Sequence, residues 1–184
     1  MLIEFSLILM IISTISLTKR KEYIIRKDIT FNMAFTKDNL EVVVKNCLKK
    51  LRLLDKKLFE INVNERTITH KLAEYLQQNI PEFDVDCEYN RFEDLVKKLE
   101  LPKDRINWDD IEAKTVFPDI VIHKRGIQEN NLLVIEVKKS SNNNPGVFDR
   151  MKLQTFRQEP YCYIYGLFLR INLDGEKDEL EWFF

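Results

Sequence analysis

Near the end of its most hydrophobic stretch the chain sets a carboxylate and an ammonium two residues apart, Glu136 and Lys138. The preceding run Leu132-Leu133-Val134-Ile135 reads as a strand buried on both faces. Side chains alternate along a strand, so Leu132, Val134, Glu136 and Lys138 share one face. Asp119 heads a second apolar run seventeen residues before Glu136, about the length one hairpin consumes. Pairing of the two runs would bring both carboxylates to one edge. Glu65 opens a helical segment, and at about 100° per residue it falls in the centre of the apolar side made by Ile68, Leu72, Tyr75 and Leu76. Three acids and an ammonium beside an apolar sheet are costly unless paired, because each ion loses its water. A divalent cation resolves that conflict by supplying the missing partner. Hard oxygen donors, without a His or Cys cluster, point to Mg²⁺ or Mn²⁺ over zinc. A plainer reading stands beside this one: Glu136 and Lys138 as a strand-end ion pair, Asp119 as a turn residue after Pro118, and Glu65 as an acid favoured by the helix dipole.

The elements that must position these groups follow from periodicity. A first helix is expected from about Asn39 to Phe59, with Asp38 and Glu41 as a capping pair and a stripe of Leu40, Val43, Val44, Cys47, Leu48, Leu51 and Leu54. Its polar face carries Lys49, Lys50, Arg52, Lys56 and Lys57, which reads as a solvated face or as a phosphate-contacting one. Asn64 caps the second helix, and His70 falls off its apolar stripe. "EFDVDCEYNRF" alternates strictly, a strand with Val85, Cys87 and Tyr89 on one face and a polar or solvent-facing side opposite. Residues Glu93 to Lys114 read as an inserted helix or loop. Strands at about Ile120–His123 and Leu132–Lys139 are joined through the turn "RGIQENN", and the Asn-rich loop Ser140–Gly146 leads into a helix from about Phe148 to Gln158. "YIYGLFLRINL" and the terminal "DGEKDELEWFF" supply two further strands. This order predicts an α/β fold, a central mixed β-sheet flanked by helices.

Bulk properties bound the function. The 184 residues fit one domain, 36–184, behind an apolar and basic extension, 1–35. Hydrophobic residues at 45% and charged residues at 32% exclude a disordered chain, and a formal net charge of −1 offers no global field for nucleic acid, though it leaves room for a local basic groove. Cys47, Cys87 and Cys162 lack metal-type spacing and read as buried free thiols in a reducing compartment. The sixteen apolar-rich residues Leu2–Leu17 are short for a membrane span and lack the features of a secretory signal. They read as a non-native extension with Met33 as the true start, as an anchor or interfacial helix making membrane contact, or as an element packed on the domain. All three readings leave the main domain cytoplasmic.

"PDIVI…LLVIEVK" resembles the signature of the PD-(D/E)xK nuclease superfamily, which includes many restriction endonucleases, junction resolvases and repair exonucleases. The helix bearing Glu65 is similar to the superfamily's first motif, Pro118-Asp119 to its second, and Glu136-Val137-Lys138 to its third. The likeness spans roughly Asn64 to Asn172 and extends to small uncharacterised bacterial and phage-type members. It implies a restriction-endonuclease-like three-layer sandwich and metal-dependent cleavage of phosphodiesters, foremost in DNA. It further implies that Asp119 and Glu136 ligate Mg²⁺ (or Mn²⁺) with the Val137 carbonyl, that Glu65 serves a second ion or its water, and that Lys138 positions water or stabilises the transition state. "DRMKLQTF" falls where many members carry a glutamine-leucine helix motif. Here Lys152 precedes Leu153 and Gln154 follows it, so either could face the site. Lys139, Arg150, Lys152, Gln154 and Arg157 are candidates for contacts to the nucleic-acid backbone, and the Ser140–Gly146 loop reads as a substrate contact or an ordinary connection. A homodimer is among the assemblies the chain allows. The alternative to an enzyme is a catalytically inactive nuclease-fold module that binds nucleic acid or a partner.

Overall fold

The computed structural model describes residues 35–89, 91–92, 95–96, 117–127, 131–174 and 177–184. The chain divides into two compact units, 1–42 and 43–184. In the first, residues 35–42 are described: Thr36 Oγ1 accepts from the Asn39 N–H at 3.3 Å and Lys37 Nζ lies 2.6 Å from Glu41. The capping residue is therefore Thr36, not Asp38, because the helix starts at Lys37, two residues before the expected Asn39.

Helix α1 (Lys37–Leu54) ends at a bend on Asp55 and is followed by a separate short helix, α2 (Lys56–Glu60). The single helix expected through Phe59 is thus two. Asp55 carries the break: its backbone leaves helical values and its carboxylate accepts the Tyr75 hydroxyl. Helix α3 (Glu65–Asn79) starts at Asn64, whose side chain accepts from the Thr67 N–H at 2.8 Å. The strands of the main sheet are β1 (Asp84–Cys87), β4 (Ile120–His123), β5 (Leu133–Lys139), β6 (Tyr165–Ile171) and β7 (Glu179–Phe183), with α4 (Val147–Phe156) between β5 and β6. A two-stranded ladder pairs β2 (Arg91–Phe92) with β3 (Leu95–Val96); most of the expected inserted segment lies outside the described residues.

The sheet order is β1-β4-β5-β6-β7, with β5 and β6 parallel and every other pair antiparallel. This is an α/β fold built on a five-stranded mixed open sheet, an arrangement compatible with three layers. Register decides which residues meet. Ile120 faces Ile135 and Ile122 faces Leu133, so these four share a face, while Val121 and Val134 share the other. Val121 and Val134 cluster with Leu153 and Phe156 of α4. Val137, Ile135 and Leu133 point the opposite way and are fully buried, as are Ile68, Leu72 and Leu76 of α3, which packs on β1 and β5. Each such aliphatic side chain contributes roughly 1.5–3 kcal/mol by leaving water, which is why β5 tolerates no polar residue until Glu136.

The polar side expected of β1 is present and forms a seam of ion pairs: Asp86 Oδ2 lies 3.0 Å from His123 Nε2 and accepts from Arg125 Nε at 2.8 Å. One expectation needs correcting. Of the three free thiols only Cys47 is buried; Cys87 is half-buried and Cys162 is exposed. His70 is exposed, as its place off the stripe required. No helix among the described residues is long and apolar enough to cross a membrane.

Candidate functional site

The pairing of Ile120 with Ile135 draws Asp119 level with Glu136 where β4 runs out. Asp119 Oδ2 accepts from the Val137 N–H at 2.7 Å, so the carboxylate takes over the hydrogen bond that the next rung of the ladder would have made. Glu136 lies on the α4 face, as its parity with Val134 demands, and is fully buried. Lys152 Nζ donates to Glu136 Oε2 at 2.5 Å. The other oxygen, Oε1, is buried with no hydrogen-bond partner among the described residues. An unsatisfied buried carboxylate oxygen is expensive and rare.

Lys138 Nζ sits 3.5 Å from Glu65 Oε1 and 3.4 Å from Asp149 Oδ2. Glu65 reaches the sheet because it stands in the first turn of α3, where Oε2 accepts from the backbone N–H of Lys139 at 2.9 Å. Asp149 is the residue that sequence reasoning missed. It is buried on α4, and its second oxygen lies 3.5 Å from Lys152 Nζ, an i,i+3 neighbour. That spacing, upstream of the buried Leu153 and Phe156, was its only signal. The result is an alternating chain of charge from Glu65 through Lys138, Asp149 and Lys152 to Glu136, with Asp119 beside it.

This cluster holds four carboxylates (Glu65, Asp119, Glu136, Asp149) and two ammonium groups (Lys138, Lys152), a formal charge of minus two. Proton affinities follow. Burial pushes the Glu136 carboxyl well above the ordinary range, and neighbouring Asp119 adds to the rise against Lys152. Burial also raises Asp119, opposed by the Val137 N–H and both lysines. Burial works against the two ammonium groups, yet the surrounding acids outweigh it and raise both; Asp149 and Glu65 lead for Lys138, Glu136 for Lys152. All four shifts favour the protonated form. Lys138 is therefore a charged donor here, and the depressed pKa that a general base needs is absent from this arrangement.

The donors fit a hard cation in kind: carboxylates, the backbone carbonyl of Val137 within β5, and an oxygen of Glu136 with no hydrogen-bond partner among the described residues. They are not already closed around one, since no three His, Cys, Asp or Glu side chains among the described residues form a metal-sized group.

Helix α4 settles which residue of its motif faces inward: Lys152 is buried against Glu136, while Gln154 is exposed. The other candidate cations are engaged by protein. Lys139 Nζ donates to Asn62 and to the Val63 carbonyl, and Arg150 donates to Glu181 at 2.7 Å and lies 3.9 Å from the centre of the Phe168 ring. Arg157 Nε donates to the Ile164 carbonyl at 3.3 Å. The loop after β5 is tied down by Arg170, which donates to the Asn142 and Asn144 carbonyls. Comparison of the chain with protein-family models, with curated proteins and with solved structures returns no match.

Proposed function

We propose that the chain is a Mg²⁺- or Mn²⁺-dependent nuclease of restriction-endonuclease-like, three-layer fold that hydrolyses phosphodiester bonds, foremost in DNA. The observation that carries this reading is the charge deficit of two at the β4–β5 edge, joined to the orphaned Oε1 of Glu136. A folded protein that buries such a deficit calls for a divalent partner. Asp119, Glu136 and the Val137 carbonyl would hold the ion, with Glu65 beside them. When bound, it would polarise the scissile phosphate and acidify a water.

The remaining chemistry belongs to the chain. Lys138, kept protonated by Asp149 and Glu65, directs an ammonium at the charge that grows on the phosphoryl oxygens. Glu65 ties the lysine-bearing end of β5 to α3 through the Lys139 N–H, which fixes where that ammonium points. Asp149 spaces Lys138 from Lys152, so the two like charges share one counter-ion. The half-buried Lys139, Arg150 and Arg157 would exchange their partners within the protein for sequence-independent backbone contacts.

One specific observation favours a second reading. Lys152 already sits on Glu136, and an ammonium in that position can replace a metal as the carboxylate's partner. On this reading the chain is an inactive nuclease-fold module that binds nucleic acid or a protein. The two part in one assay: purified protein with single-stranded, duplex and branched DNA, in Mg²⁺, Mn²⁺ or chelator. The nuclease reading expects cleavage in metal alone, with losses of about 10²–10⁴-fold in Asp119→Asn and Lys138→Ala. Cleavage that persists in chelator, or that ignores both substitutions, defeats it. Binding without turnover on every substrate supports the module.

A further inference from the structure

A cavity of about 790 Å³ opens beyond the carboxyl ends of the parallel pair, where Ser140 and Ser141 follow β5 and Asn172 follows β6. Crevices outside the carboxyl ends of strands are where open α/β sheets take ligands, and this volume lies within the range of small-molecule sites. Phe59 of α2 and Asn62 face it from the other side.

The chemistry of the lining selects the ligand. Its two basic residues each have an acidic partner: Arg52 donates to the Asn172 carbonyl and pairs with Asp178, and the exposed Lys56 lies 3.1 Å from Glu60. Asp174 is a further acid, so the described residues of the wall carry two acids against two bases and offer a phosphate no net positive charge. What it does present are donors. Asn172 Oδ1 accepts from the Asp174 N–H, Asn62 Oδ1 from Lys139 Nζ, and Ser140 Oγ from the Leu173 N–H. Each of these oxygens already accepts one bond within the protein, whereas the two amide NH₂ groups and the hydroxyl proton meet no acceptor among the described residues. An aromatic wall with several donors and no net positive charge matches a flat heteroaromatic ring edged with carbonyl acceptors.

We infer that this cavity takes one unpaired nucleobase, stacked against Phe59 and held by Asn62, Ser140 and Asn172, from a strand that crosses the adjoining charged edge. The inference rests on the nuclease reading for the strand's course, since Lys139 joins the two places: its side chain holds Asn62 and its N–H holds Glu65.

The test uses the full chain in chelator, so that no strand is cut, with a fluorescein-labelled thymidine oligonucleotide, its abasic counterpart and thymidine monophosphate. The expected result is tighter binding of the oligonucleotide than of the abasic strand. Phe59→Ala should weaken oligonucleotide binding about tenfold, the scale of one lost stacking contact, and Phe59→Trp should restore it. Ser141→Trp, from an exposed turn, should block the cavity with the thermal midpoint retained. Equal binding of the two strands, or wild-type binding by both Phe59→Ala and Ser141→Trp, overturns the inference. Thymidine monophosphate bound as tightly as the oligonucleotide would assign the cavity to a free nucleotide and overturn the strand's path. Because binding is read without metal, a failure of Mg²⁺-dependent cleavage leaves this result standing, and cleavage with an indifferent Phe59→Ala removes the cavity's role alone.

Discussion

At the level of single residues the decisive pair is Glu136 and Lys152. Neither is tolerable alone in a fully buried position, and Lys152 is the nearest neutralising group to a carboxylate whose other oxygen is bare. Replacing Lys152 with Met removes one partner of a buried pair, which typically costs about 3–5 kcal/mol; urea unfolding in chelator measures it, and a loss under about 1 kcal/mol would show that the pair is not what compensates Glu136. Glu136 also predicts a pH dependence. Its folded-state pKa lies above the unfolded value because burial and Asp119 outweigh Lys152. The folded state therefore holds this proton more tightly, so the associated stability is fully present below the ordinary carboxylate pKa and is lost as pH rises toward the folded one. Metal-free wild type should lose stability relative to Glu136→Gln as pH is raised from about 4.3 toward neutrality. A difference that is flat, or that grows in the other direction, contradicts a raised Glu136.

Among the elements, α4 carries the most consequence per residue, since one short helix delivers both Asp149 and Lys152 to the sheet. Its start depends on Gly146, which adopts φ +73° and packs so closely that a Cβ would lie 2.5 Å from a ring carbon of buried Phe168. Gly146→Ala meets both a left-handed backbone penalty and an overpacked core, together about 2–4 kcal/mol. It should lower the urea midpoint and, on the nuclease reading, reduce cleavage through misplaced Asp149 and Lys152. Unfolding and activity measured on the same sample check this. A variant of wild-type stability would mean that the ring yields more readily than a packed core allows. The same helix shows why periodicity alone was insufficient: both Lys152 and Gln154 flank Leu153, and only the crossover from β5 to β6 chooses the face that turns inward.

For the molecule as a whole, the proposed metal site would link folding to divalent cations. Any ion that binds the folded state alone stabilises it, by about 2.7 kcal/mol at a hundredfold excess over its Kd. Mg²⁺ or Mn²⁺ should therefore raise the thermal midpoint of wild type, and the rise should vanish in Asp119→Asn and Glu136→Gln. Melts in chelator and in metal decide it. An unchanged wild-type midpoint would favour the module in which Lys152 serves permanently as the counter-ion.

Much of the fold was legible in the chain because its signals are local. A continuous apolar run marked β5, an apolar stripe with Asn64 as its cap marked α3, and the Glu136–Lys138 spacing set both groups on one strand face. The break at Asp55 and the cap at Thr36 were not legible, since each depends on a competing partner a few residues or a whole helix away. Asp149 was missed for the same reason: an acid on a helix looks like surface until the sheet arrives beneath it. Sequence by itself determined that one carboxylate would stand at the head of a buried strand and another within its neighbour, because alternation and hydrophobicity are properties of neighbours along the chain. Only tertiary structure decided which cation would answer them, because register and crossover bring Lys152 and Asp149 to that edge across distances no local pattern encodes.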